Sequence, residues 1–454
     1  MKIIGKRLGI LIVMLLFLGM LAGCGKGNAG SAEGTHESDI EALERILEEQ
    51  AARGGAIPSD WNDAEHYTWD ENGRLTEINW GYERTLKGKL SLKGLTALTY
   101  LNCEGNELTG LDISKNTELT MVCCSSNELS SLDVSRNLAL THLLCDYNAL
   151  TRLDVSKNEA LIRLDCSGNE LTALNVDQNL ELVIFWCSGN KLTSLDVSKN
   201  LKLQDLSCNF NELSSIDVSM NTELTSLYCY ENKLTELDVS KNLALESLYC
   251  SGNALTSLDV SVNIALVGLD CKENNLTNLD LSQNTALRIL DCGDNELGSL
   301  DVGGNTALTH LLCGRAGLTA LDVSNNTELI TLDCAENTLT VLDVSSNTVL
   351  SNLNCSGNKL TRLDVGKNKE LTELCCYGNM LTSLDVSANT ALRDLNCNTN
   401  KLTNLIMGEN TELTSLSCSH NELTGLDVSG CTELNMVDII CDKEKVTITS
   451  ISSQ

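Results

Sequence analysis

The chain has almost no proline and few aromatic residues. Pro58 is the one proline in 454 residues, where ordinary usage of about 5% would give more than twenty. Collagen-like, proline-rich and proline-stiffened architectures are thereby excluded. Phe, Trp and Tyr together make 3% of the chain, so its core must be aliphatic. Positive charge is scarce as well: 32 basic residues against 62 acidic ones leave a formal charge of −30. Nucleic acid is therefore excluded as a partner, because phosphate backbones would be repelled. Histidine is rare too. His36, His66, His142, His310 and His420 are far apart in sequence, and no phosphate loop, nucleophile elbow or metal-ligand spacing accompanies them. No catalytic residue, metal ligand or cofactor is expected; His142 with Asp165 is the one pairing that a catalytic reading could use. What the chain does have is apolar residues at 42% and 32 glycines, a globular composition.

The first two dozen residues read as an address. Lys2, Lys6 and Arg7 precede an apolar run from Leu8 to Ala22, too short for a spanning helix. The run ends Leu21-Ala22-Gly23-Cys24, which resembles the bacterial lipobox. By that resemblance residues 1–23 are a lipoprotein signal peptide and Cys24 is the acylated anchor. The expected location is extracytoplasmic, held on the bacterial cell membrane and surface exposed, since acyl chains bury enough methylenes to hold a protein there. Residues 24–38 follow as the lipidated cysteine and a Gly/Ser/Ala-rich tether. Ser38 or Asp39 then suits the cap of a helix whose Ile40, Leu43, Ile46 and Leu47 share a face.

From Leu98 the chain repeats every 21 residues. One unit reads LTYLNCEGNELTGLDISKNTE, and sixteen such units cover 98–433. Cysteine fills its column, from Cys103 to Cys418, in all sixteen units. The asparagine column starting at Asn106 is broken only by Ala316, and the one starting at Asn116 only by Cys431. A fixed period in this range with such a pattern is the signature of leucine-rich repeats. The alternation around Leu101 and Cys103 predicts a strand buried on one side, which Asn106 ends by bonding turn backbone groups. Leu111-Asp112-Ile113-Ser114 alternates again and predicts a short second strand on the convex side. The fold class is thus a leucine-rich-repeat solenoid with a parallel concave sheet, a β or irregular convex side and a small α/β N-terminal cap. Because a single unit cannot bury its own apolar side, both ends need caps. Residues 39–97 supply one, with a helix and a hairpin turning at Asn72-Gly73; residues 434–454 supply the other, closing on KVTITSI.

Twenty cysteines remain after Cys24. Their even number and the exported context invite disulfides. Geometry opposes this for the ladder, since stacked strands hold equivalent Cβ atoms about 4.8 Å apart, whereas a disulfide wants about 3.8 Å. The column is expected to be reduced thiols filling a narrow core position. Cys431 and Cys441 could pair with each other.

These repeats resemble those of the bacterial internalin superfamily, above all the 21-residue, cysteine-ladder type of internalin J. The resemblance implies a non-catalytic cell-surface binding module of adhesin-like kind. The chain departs from wall-anchored members by its lipobox and by ending at Gln454 without a sorting motif, so membrane attachment is expected in place of wall attachment.

Since inward positions hardly vary between units, specificity is expected in the outward positions of the concave strands. Trp186, Phe210, Tyr228, Tyr230 and Tyr249 cluster in repeats 5–8, and Asp270, Asp291 and Asp333 follow them. Exposed Trp and Tyr make interface hot spots, so these eight residues are the expected ligand-binding set for an unknown macromolecule, protein or glycan. A cation or calcium on the aspartates is a subsidiary reading. The aspartate column beginning at Asp112 holds fourteen aspartates in sixteen units and is expected to bond turn amides locally. A structural, self-associating envelope protein without a discrete ligand is the alternative function.

Overall fold

The computed structural model describes residues 37–442, Glu444 and residues 446–449. Cys24, the apolar run before it and most of the expected tether lie outside the described residues. Among the described residues no helix is long and apolar enough to cross a membrane.

Helix α1 (Glu37–Ala51) opens the structure. It begins two residues inside the expected tether, so neither Ser38 nor Asp39 is its cap. Asp39 is instead fully buried and accepts bonds from Arg74 Nε at 2.8 Å and from the Leu75 backbone N–H at 2.9 Å. Leu43 and Ile46 are buried, and Ile40 and Leu47 pack beside them. Strands β1 (Tyr67–Trp69) and β2 (Leu75–Asn79) form an antiparallel hairpin. Its turn places Gly73 at φ 73° and is closed by Asp70 Oδ1, which accepts the backbone N–H groups of Asn72 and Arg74. On its other side β2 pairs in parallel with Tyr100–Asn102, the strand of repeat 1.

From there the same three-residue strand recurs in every repeat to Ser415–Ser417, and Ile439–Ile440 adds one more. Together with the hairpin these make a sheet of nineteen strands, parallel throughout except for β1. The register places each residue against its equivalent 21 positions on, as Leu206 faces Leu227 and Tyr228 faces Tyr249. Inward leucines and cysteines therefore stack in files, and one buried core runs from Ala42 to Val446 with both ends covered. A fully buried leucine contributes roughly 1.5–3 kcal/mol, so the files are what holds the coil closed.

Asparagines hold the turns. Asn127 is representative: its Nδ2 donates to the carbonyls of Cys103, Cys124 and Ser125 at 2.9–3.2 Å, and its Oδ1 accepts the Leu108 N–H at 2.9 Å. One amide thus satisfies backbone groups in two successive coils that burial would otherwise leave unpaired. The second column, on the opposite edge, ties each coil to the one before it, as Asn137 Nδ2 donates to the carbonyls of Ile113 and Asn116.

The predicted convex strand forms only near the two ends. Lys87–Ser91 pairs with Glu107–Asp112, Ser383–Asp385 with Asn404–Ile406, and Gly425–Asp427 with Thr447–Thr449. Along the convex side, backbone and asparagine side chains share the bonds between coils. The N–H of Ala149 reaches the Leu129 carbonyl at 2.9 Å, while the N–H of Leu129 is taken by the Asn148 side chain. The end repeats keep this arrangement, with Asn400 Oδ1 accepting the Leu381 N–H at 3.0 Å, and add backbone bonds such as Thr403 N–H to the Thr382 carbonyl at 3.0 Å, which make the strands. The aspartate column beside it bonds locally: Asp154 Oδ1 accepts the Ser156 N–H at 3.0 Å, and this contact holds its carboxyl below the usual range.

All sixteen ladder cysteines are buried free thiols. Desolvation pushes their pKa values far up, to about 12 for Cys208 and higher for most others, so they behave as small apolar groups. Cys431 is also a buried free thiol, and the disulfide that it could have formed with Cys441 is not made.

Candidate binding face

Residues at the third position of each strand line the concave side in single file. Tyr228, Tyr249, Asp270 and Asp291 are consecutive partners in register, and Leu312 and Asp333 continue the file. All are half-buried: flanked by neighbours in the file, each keeps one side open to solvent.

Four of the aromatic rings come together as two pairs. Tyr228 and Tyr249 stack, with ring centroids 5.1 Å apart and planes at 26°. Phe210 and Tyr230 meet edge to face at 5.2 Å and 81°. Such pairs contribute about 0.5–1.5 kcal/mol beyond burial and stiffen the surface they make. Trp186 stands two strands before Tyr228. Its Nε1 donates to Asp205 Oδ1 at 2.9 Å, and the Arg163 guanidinium lies 4.6 Å above its ring.

Arg163 and Asp205 were not among the sequence candidates. They sit at the first strand position, one file over, and reading that column in the 21-residue alignment would have found them. The structure also adds Tyr147, 66% exposed, whose ring lies over Gly168; a Cβ there would meet the ring at 2.8 Å. Tyr147 and Phe210 occupy the position just before the Asn106-type asparagine, where all sixteen repeats adopt positive φ. Ten of the sixteen are not glycine, though that conformation costs an L-residue about 1–2 kcal/mol.

The acidic part of the file is poorly solvated. Burial raises the carboxyls of Asp270, Asp291 and Asp333 above their ordinary range, and in Asp291 the neighbouring Asp270 adds to the rise. Lys272 partly offsets this, with its Nζ 3.7 Å from Asp291 Oδ2. Asp270 accepts the Ser251 hydroxyl at 2.8 Å, and Asp333 the Asn354 amide at 2.9 Å. Further back, burial and the charge of Asp146 push Asp165 up to about 6. Among the described residues no three His, Cys, Asp or Glu side chains gather as a metal site. His142 Nδ1 contacts Thr141 Oγ1 at 2.9 Å and its strand position is paired with Arg163; burial, and after it the Arg163 cation, lowers the imidazole pKa.

No protein-family model matches the sequence, and no curated protein is similar to it. Solved structures are. The functional domain of InlJ from Listeria monocytogenes, which includes a cysteine ladder, is 36% identical, covers 72% of this chain and 74% of its own, and superposes with a TM-score of 0.69. An internalin, InlF, from the same organism is 20% identical over 73% of this chain and 96% of its own, with a TM-score of 0.59. A plant peptide hormone receptor in complex with RGF2 is 17% identical over 85% of this chain and 83% of its own, at a TM-score of 0.54. The last two show the fold alone. The 21-residue coil, its stacked cysteines and the identity to InlJ agree: the chain belongs to the internalin family of leucine-rich-repeat proteins, in its cysteine-ladder, InlJ-like branch.

Proposed function

We propose that this protein is a non-catalytic, lipid-anchored binding module on the outer face of a bacterial membrane, and that it recognises a macromolecule, protein or glycan, through its concave face. The observation that carries the reading is the pairing of Tyr228 with Tyr249 and of Phe210 with Tyr230 beside Trp186. In a chain with 3% aromatics they gather on one part of a rigid sheet. Rigid aromatic side chains bring large contact area at small entropic cost, which is how hot spots work. The plant neighbour supports the same use of the fold, being a peptide hormone receptor by description. Asp270, Asp291 and Asp333 extend the contact and set its preference for positively charged or hydrogen-bond-donating groups.

The test is replacement of Trp186, Tyr228 and Tyr249 together by alanine. Capture from envelope and host-cell extracts, and from a glycan array, should be lost while circular dichroism is unchanged. Unchanged capture would remove the concave face from the proposal. The anchor is tested separately: labelled fatty acid should be incorporated by the wild type and not by Cys24→Ser, and the variant should leave the membrane fraction.

A further inference from the structure

The edge of the coil that leads into each concave strand carries an apolar file in repeats 2–8. At the position after the Asn116-type asparagine stand Leu138, Leu180, Leu201, Leu243 and Ile264, each 50–63% exposed. The file is interrupted at Glu159 and Thr222, and there the same edge turns present Ile162 and Met220, 40% and 52% exposed. In later repeats the position holds Thr285, Thr306, Thr327 and Thr348. The backbone thus accepts a polar residue there. The leucines do nothing for the fold that threonine does not do elsewhere in the same chain. Aligned exposed apolar side chains on a soluble surface mark an interaction site.

We infer that this ridge, spanning repeats 2–8, is a self-association surface whose occupant is the same ridge of a second copy. Three observations select that occupant. The size is right. Seven coils at about 4.8 Å span roughly 29 Å between the first and last, about the width of an 800 Å² patch, and three edge positions per coil give about 21 residues. The spacing is right, because two identical files have the same rise and oppose each other residue for residue, as an isologous contact demands. The charge is also compatible. Although the chain carries −30, the ridge is flanked by both signs, with Asp133, Asp154, Asp196 and Asp238 each followed three residues on by Arg136, Lys157, Lys199 and Lys241, while Asp217 and Asp259 have no such partner. A bilayer would instead select an excess of cations along such a ridge. The ridge lies on an edge and the aromatic file on the concave face, so the inference stands or falls independently of the recognition proposed above.

The experiment is sedimentation equilibrium on the chain from Gly25 onward, which keeps both capped ends and the whole core. The wild type should be a dimer with a dissociation constant on the order of 1–10 µM, within the range interfaces of this size show. Replacing Leu138, Leu180, Leu201, Leu243 and Ile264 together by threonine should weaken it at least 100-fold with no change in circular dichroism. The converse variant, Thr285, Thr306, Thr327 and Thr348 all to leucine, lengthens the ridge and should tighten association, which covers a failure of the first variant to fold. A wild type that is monomeric at about 100 µM overturns the inference. So does a dimer that survives the threonine replacements, or a monomer that floats with liposomes through these leucines.

Discussion

In repeats 2–8 the concave file carries Trp186, Tyr228 and Tyr249, and the leading edge carries leucines; in repeats 9–16 the same two positions carry Asp270, Asp291 and Asp333 and a run of threonines. Behind both halves stand the same leucine, cysteine and asparagine files, with inward residues at 0–2% exposure throughout the strands. The difference shows where selection of residues is free. An inward side chain touches its equivalents in the coils above and below, so a change of volume is felt three times. An outward one touches solvent on one side and varies without disturbing the stack. One position sits between these cases. The column with positive φ has glycine in six repeats, and other residues, among them Tyr147 and Phe210, in ten. Display there is worth backbone strain to the molecule, because the neighbouring asparagine fixes the turn whatever the side chain is.

The comparison can be broken most forcefully through what the halves share. Asn190→Ala would leave the Leu171 N–H and the carbonyls of Cys166, Cys187 and Ser188 without this partner, and should cost about 4 kcal/mol, since each unsatisfied buried group costs about 1–3. A urea melt would register it. Ala316→Asn, at the one coil lacking the amide, should stabilise by about 1 kcal/mol in the same measurement. If both are silent, the ladder is not what unites the halves.

Binding should separate the halves next. The triple replacement of Trp186, Tyr228 and Tyr249 is expected to weaken ligand affinity at least 100-fold, about 3 kcal/mol. Asp270, Asp291 and Asp333 all changed to asparagine should weaken it less than 10-fold. Titration by surface plasmon resonance with the captured partner would invert the roles of the two regions if the order were reversed.

A smaller effect lies in pH. Asp165 has its folded pKa raised from 3.8 to about 6. The folded state therefore holds this proton more tightly than the unfolded one. Its contribution to stability is full below about pH 4 and is lost as pH rises through 6. Asp165→Asn should match the wild type at pH 4 and exceed it by about 2–3 kcal/mol at pH 7.5. Equal stability at both pH values would show that the carboxyl is better solvated than its burial implies. Smallest of all, Lys233→Ala removes a 2.9 Å contact with Glu212 between exposed side chains and should change thermal stability by less than about 0.5 kcal/mol, as surface pairs do.

Much of this was legible in the 21-residue alignment. The inward files, the turn-ending asparagines, the hairpin at Asn72-Gly73 and the neighbourhood of the aromatic residues all follow from period and register, because a parallel in-register stack converts sequence spacing directly into distance. Three features did not. Asp39 suited a helix cap by type, and only the approach of Arg74 from the hairpin makes it a buried ion-pair partner. The convex alternation was real but, among the described residues, produced strands only near the ends, where additional backbone bonds such as Thr403 N–H to the Thr382 carbonyl join successive coils. Arg163 and Asp205 hold Trp186 from an adjacent file, which a reading confined to one column passes over.

The amino-acid sequence by itself determined the coil: a unit too short to bury its own leucines, repeated without insertion, closes only by stacking, and its asparagine and cysteine files stand where the period puts them. Tertiary structure alone decided how outward residues meet. Whether rings stack or cross, which carboxyl loses its water and which leucines stay exposed depend on side chains contributed by adjacent coils and on the path of the backbone between them, and neither is written in any single repeat.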